Sequence, residues 1–268
     1  MPELSEISFS QEACVAAVRD YYRFLVQLYL DESAIIEPPE DGWPEITADS
    51  LRNLGKNDAV ISLLRRLPYI RDTNTFEQPQ GIPFCPLADW RALSSSPSNN
   101  DPKNSDSLKV MTEELSHDIP PSVVGLTKPP RHDTNLYLDT NLGVVYWPDC
   151  WGEIRDTTAR EQVYDDPYEW APEREADWRG SAAVWAIEDF FEVLKDQFRE
   201  LRFIPVSPWR VLDVFTGYHR DDEGLIPMLQ DIYRSHGWPD LERYNKRDCL
   251  RDVKAALEKH YPDYAESW

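Results

Sequence analysis

Residues 135–151 read NLYLDTNLGVVYWPDCW. Leu136, Tyr137 and Leu138 form a short apolar arm. Asp139, Thr140, Asn141, Leu142 and Gly143 supply turn chemistry, and Val144, Val145, Tyr146 and Trp147 form a second arm of β-branched and aromatic residues. The pattern predicts a β-hairpin with Gly143 at or near a left-handed position. Both arms are almost wholly apolar, so the hairpin is expected inside a covered sheet rather than at its edge.

Downstream, residues 153–179 are acidic and aromatic together. Asp156, Glu161, Asp165, Asp166, Glu169, Glu173, Glu175 and Asp177 are interleaved with Tyr164, Tyr168, Trp170 and Trp178. Prolines and the lack of period predict a long surface loop with a short helix. Residues 182–203 then carry Val184, Ile187, Phe191, Leu194, Phe198 and Leu201 at three- and four-residue steps. That stripe predicts one amphipathic helix, with Ser181 as its N-cap and Pro205 and Pro208 beyond its end. A strand is expected over 211–216. A helix over 225–236 closes on Gly237, and another over 245–261 starts at Asn245 with Asp248 at the third position.

Upstream, residues 123–126 read as a strand, stopped by Pro129 and Pro130. Residues 94–107, SSSPSNNDPKNSDS, hold no large apolar side chain to offset the entropy of ordering them, which predicts a flexible insertion at about 94–108. Phe84, Leu87 and Trp90 are expected to fold onto the core. At the N-terminus, Ser8 and Gln11 have capping-box spacing. Cys14, Val15, Val18, Tyr22, Leu25 and Tyr29 follow near helical period. The segment IIEPPEDGWPEI, residues 35–46, is an extended crossing that pins Trp43. Two short helices, 47–54 and 57–67, are separated by Gly55, with Asn57 capping the second. Gly42-Trp43-Pro44 recurs as Gly237-Trp238-Pro239, but the residues between the copies match poorly, so coincidence is preferred to duplication.

The chain has 268 residues, with 49 acidic against 28 basic and a formal charge of -21. That balance disfavours nucleic acid and anionic membrane surfaces and would attract a basic protein partner, although solubility alone also accounts for it. No apolar run approaches the roughly 20 residues of a membrane span. Residues 1–12 are polar and acidic rather than basic-then-apolar, and Cys14, Cys85, Cys150 and Cys249 form no CxxC pair. A cytoplasmic location with reduced thiols is expected.

Catalytic signals are sparse. The five histidines, His117, His132, His219, His236 and His260, form neither HExxH nor a paired metal-ligand spacing. The pairs with candidate acid-base or metal chemistry are His132 with Asp133, and His219 with Asp221; solvated loop residues are the simpler reading of both. There is no GxSxG elbow and no Gly-rich phosphate loop. No cofactor and no metal site is therefore expected. Cys150 lies between Asp149 and Trp151; a carboxylate close by would raise its pKa and oppose a nucleophilic role.

At the hairpin and the segment after it the chain resembles the SUKH superfamily, which includes fungal cell-wall-assembly regulators and bacterial toxin-immunity proteins. The residues that carry the likeness are Leu138-Asp139, Gly143-Val144-Val145-Tyr146-Trp147 and Ile187-Glu188-Asp189-Phe190-Phe191-Glu192-Val193-Leu194, with a faint echo in Leu67-Pro68-Tyr69. They lie mainly within residues 123–202, and the family's Asn-Gly after the LP-Y segment is missing. The resemblance implies an α+β domain that works by binding other proteins without catalysis.

These readings predict one α+β domain over residues 1–268: a small, mainly antiparallel sheet centred on the hairpin, flanked by helices from both termini. The expected function is protein binding or regulation through an acidic-aromatic surface made of Tyr164, Asp165, Asp166, Tyr168, Trp170 and Trp178. The competing reading is an enzyme of small-molecule metabolism with an aromatic-lined pocket that uses His219 and Asp221, or His132 and Asp133.

Overall fold

The computed structural model describes residues 1–73, 78–96, 106–114, 118–129, 134–216 and 222–265. It is an α+β fold. Helix α1, Gln11–Leu28, starts at Ser10, whose Oγ accepts from the Ala13 amide at 3.3 Å; the cap lies two residues beyond the expected Ser8. A short pair, β1 (Ile35–Ile36) and β2 (Tyr69–Ile70), brackets the proline-rich crossing and helix α2, Asp58–Arg66. Asn57 caps α2 by accepting from Val60 N at 3.0 Å. The stretch expected as a helix over 47–54 is instead a series of turns with one 3-10 turn at Arg52–Leu54. Helices α3 (Trp90–Ser94) and α4 (Ser107–Thr112) flank the Ser/Asn/Asp-rich insertion, most of which lies outside the described residues.

The central sheet has four antiparallel strands in the order β3 (Val123–Gly125), β4 (Tyr137–Asp139), β5 (Val144–Trp147), β6 (Ala183–Ala186). The expected hairpin is β4–β5, with Tyr137 opposite Tyr146 and Asp139 opposite Val144. Strands on both sides cover its edges. Gly143 sits at φ 73, and a Cβ there would come within 2.8 Å of the Ser8 backbone. Glycine is required on both grounds.

Strand alternation divides the apolar residues between two cores. Leu138, Val145, Trp147 and Trp185 face the main core; Val123, Tyr137, Val144, Tyr146 and Val184 face a smaller one completed by Val163 and Trp178. Helices α5 (Gly152–Thr157) and α6 (Glu173–Ser181) follow β5. The segment expected as a long loop is thus partly helical at both ends.

The expected helix over 182–203 is corrected at both ends. Its first residues are strand β6, paired with β5, and Ser181 ends α6 instead of capping a new helix. Helix α7 runs over Ile187–Arg199, and strand β7 (Phe203–Pro205) follows, paired with β8 (Val211–Asp213). Helix α7 packs on the main-core face of the sheet: Phe190 lies 6.3 Å from Trp147 and 6.4 Å from Trp185, centroid to centroid. Helix α1 lies against α7, with Tyr21 5.4 Å from Phe191 and Phe24 6.2 Å from Phe198.

Helices α8 (Leu225–Ser235), α9 (Lys246–His260) and α10 (Pro262–Ala265) complete the described chain. Gly237, at φ 95, follows α8, and Asn245 caps α9 by accepting from Asp248 N at 3.2 Å. The two Gly-Trp-Pro segments sit in unlike surroundings. Trp43 donates its indole N–H to Leu67 O at 2.8 Å, just past α2, whereas Trp238 donates to Phe198 O at 2.9 Å on α7. Among the described residues no helix is long and apolar enough to cross a membrane.

Candidate functional site

The acidic-aromatic segment runs along the outer side of the smaller core. After β5 and α5 the chain returns to the sheet at Val163, whose amide donates to Val184 O at 2.8 Å. Tyr164 is then bonded to the N-terminal segment: its amide donates to Pro2 O at 2.9 Å and its carbonyl accepts from Leu4 N at 3.3 Å. Asp166 accepts from Tyr168 N at 3.3 Å and opens the 3-10 turn Pro167–Glu169, with Pro167 at a position where its missing N–H has no cost. The chain then enters α6, which carries Glu175, Trp178 and Arg179.

Arg179 is the hub of this arrangement. Its side chain is 1 % exposed and pairs with the equally buried Asp139 of β4 at 2.7 Å and with Glu175, one turn back on α6, at 2.8 Å. Its guanidinium carbon lies 4.6 Å from the ring centroids of Tyr146 and Trp178 and 5.1 Å from that of Trp170. A guanidinium among three rings gains from each ring's negative face, more so away from water. Burial by itself would lower the Arg179 pKa; Tyr146, Asp139 and Glu175 outweigh it and hold the group above its ordinary value.

Asp165 ties the exposed segment to this hub. One carboxylate oxygen accepts from the Tyr146 hydroxyl at 2.8 Å, the other from the Trp170 indole N–H at 2.9 Å. Burial, ahead of every other influence, pushes the Tyr146 hydroxyl well above the usual tyrosine range, so it remains a donor to Asp165. Trp170 is therefore held by its edge and by one face.

The six residues expected to form a binding surface separate by burial. Tyr164, Tyr168 and Trp170 are 58 %, 66 % and 46 % exposed. Asp165 and Asp166 organise the segment through the bonds above. Trp178 is buried; it stands edge-on to Tyr137 at 5.2 Å and Tyr146 at 5.4 Å and donates to Asp118 O at 3.2 Å. It belongs to the smaller core, not to the outer face. Arg179 was not among the expected residues. The one local signal for it is the four-residue spacing from Glu175, which aligns the pair on a helix.

Compared with protein-family models, curated proteins and solved structures, the chain finds no match.

The residues named for acid-base or metal chemistry, His132, Asp133, His219 and Asp221, lie outside the described residues, as does His117. His236 faces Asp252 at 2.9 Å between α8 and α9. No group of three or more His, Cys, Asp or Glu side chains able to hold a metal ion occurs among the described residues. All four cysteines are buried, and none of them is in a disulfide. Burial pushes the Cys150 thiol up to about 12, and Arg155 opposes the shift. Desolvation raises it, rather than the neighbouring Asp149 carboxylate.

Proposed function

We propose that this protein binds a basic segment of a partner protein on the face built from Tyr164, Tyr168 and Trp170, without catalysis at that face. One observation carries the reading. Three of the six exposed large apolar side chains among the described residues fall within seven residues of chain, 164–170. Tyr and Trp are the side chains that most often dominate the energy of protein interfaces, because they present large areas at low entropic cost. Asp166, Glu169 and Glu173 lie in the same stretch, and the chain's charge of -21 favours encounter with a cationic surface.

The hub beneath supports the same reading. Trp170 is oriented by Asp165 and Arg179 before any partner arrives, so less freedom is lost on binding. The β4–β5 hairpin and helix α7 carry the residues on which the resemblance to the SUKH superfamily rests, and non-catalytic protein binding is what that resemblance implies.

Fluorescence anisotropy with labelled Lys/Arg-rich peptides, at low and at physiological ionic strength, tests it. Saturable binding that weakens with salt and is lost in a Tyr168→Ser/Trp170→Ser variant supports the proposal. Binding unaffected by that double substitution, or no binding to any cationic sequence, overturns it.

A further inference from the structure

A cavity of about 780 Å³ lies where the turn around Phe84, the residues after β5 and the end of the β7–β8 hairpin meet. It shares no lining residue with the acidic-aromatic face. Its volume falls within the range of small-molecule sites. Two of its walls are aromatic, Phe84 and Trp151, and Arg210 supplies a cation.

Each of these three side chains is placed by the tertiary structure. Trp151 stacks on Phe215 at 5.6 Å and stands edge-on to Trp147 at 5.8 Å, so its plane is fixed. Phe84 has φ 57, in the left-handed region, at a cost on the order of 1 kcal/mol for a residue with a Cβ. Its amide is held by Val211 O at 3.2 Å. Backbone strain of this kind gathers at ligand sites, where the fold overrides local preference. Arg210 ends the β7–β8 turn, where Ser207 Oγ accepts from its amide at 3.0 Å. Arg210 is half-buried, and its guanidinium carbon lies 5.0 Å from the Tyr264 ring centroid. Among the described residues no carboxylate lies within ion-pair distance of it.

We propose that this cavity binds a small organic monoanion with a flat apolar body, the anionic group on Arg210 and the flat body between Phe84 and Trp151. A guanidinium fork matches a carboxylate in shape and charge. Asp149 also faces the cavity and Asp222 accepts from the Tyr264 hydroxyl at 3.0 Å, so a second negative charge on the ligand is disfavoured. Carboxylates are preferred to phosphate dianions on that ground.

Isothermal titration and saturation-transfer NMR on the full chain test this with indole-3-acetate, phenyl phosphate and tryptamine as probes. Indole-3-acetate is expected to bind saturably and more tightly than the other two. Arg210→Gln should weaken it at least about tenfold, the scale of one charge-assisted hydrogen bond, and Arg210→Lys by less. Trp151→Leu should weaken it as well. Near-UV circular dichroism establishes that each variant is folded; Arg210→Lys keeps the test open if Arg210→Gln is not. No saturable binding of indole-3-acetate, equal binding by a folded Arg210→Gln, or tighter binding of phenyl phosphate or tryptamine overturns the proposal.

Discussion

Asp139 accepts from Arg179 at 2.7 Å across the sequence distance between the hairpin and α6, and neither side chain is more than 1 % exposed. The other oxygen of Asp139 accepts from the amides of Asn141 at 2.8 Å and Leu142 at 3.3 Å. One carboxylate thus shapes the hairpin turn and anchors the helix that carries the aromatic face. Removing it leaves the buried guanidinium with Glu175 as its remaining carboxylate partner, at 2.8 Å, and takes away the fully buried one. Asp139→Ala is expected to cost about 3–5 kcal/mol in urea unfolding. Asp139→Leu combined with Arg179→Met should cost clearly less than the two single changes added, because the buried guanidinium goes together with its buried partner and only Glu175, 12 % exposed, loses its cation.

Lys56 and Glu113 form a second buried pair, at 2.6 Å, which ties the end of α4 to the start of α2. Desolvation leads in both shifts: the Lys56 pKa is lowered and the Glu113 pKa raised, with each partner's charge opposing. In Lys56→Met the opposing charge is gone and Glu113 rises further. A carboxyl with a folded pKa above its unfolded value contributes stability at low pH and loses it as pH rises through the folded pKa. Lys56→Met should therefore be markedly less stable than the parent at neutral pH. The gap should narrow as the pH is lowered toward the ordinary glutamate range, as read by urea midpoints across that window.

The outer aromatics should separate binding from folding. Tyr168→Ser exposes little and should change stability by no more than about 0.5 kcal/mol. Trp170→Ser also removes the contact with Arg179 and the bond to Asp165, so about 1 kcal/mol more is expected. Both should cost far more in binding to a cationic peptide, on the order of 2 kcal/mol each if these rings anchor the contact. Thermal melts and anisotropy on the same samples compare the two effects.

Gly125 and Gly152 make a paired test of close packing. A Cβ on Gly125 would lie 1.9 Å from the Thr112 carbonyl oxygen, where α4 ends against the sheet. A Cβ on Gly152 meets nothing within 4 Å. Gly125→Ala should destabilise by on the order of 3 kcal/mol, since backbone must move. Gly152→Ala, at the first position of α5, should be neutral or stabilising by up to about 1 kcal/mol. Equal effects at the two positions would contradict the packing of α4 on β3.

Local chemistry was enough for the β4–β5 hairpin, the Asn57 and Asn245 caps and the glycine after α8, because each depends on residues within a few positions of one another. It was not enough for Ala183–Ala186. Val184 continues the apolar spacing of Ile187 and Phe191, so in one dimension the stretch reads as helix. The free edge of β5 makes it a strand, with Val184 turned to the smaller core and Trp185 to the larger. The same limit applies to Arg179 and Trp178. Nothing near them in sequence reveals that Asp139, forty residues away, would draw the arginine inward, or that Tyr137 and Tyr146 would take the tryptophan into a core. Composition marked the segment as acidic and aromatic; only the folded chain decided which rings face solvent, because burial depends on partners that sequence distance conceals.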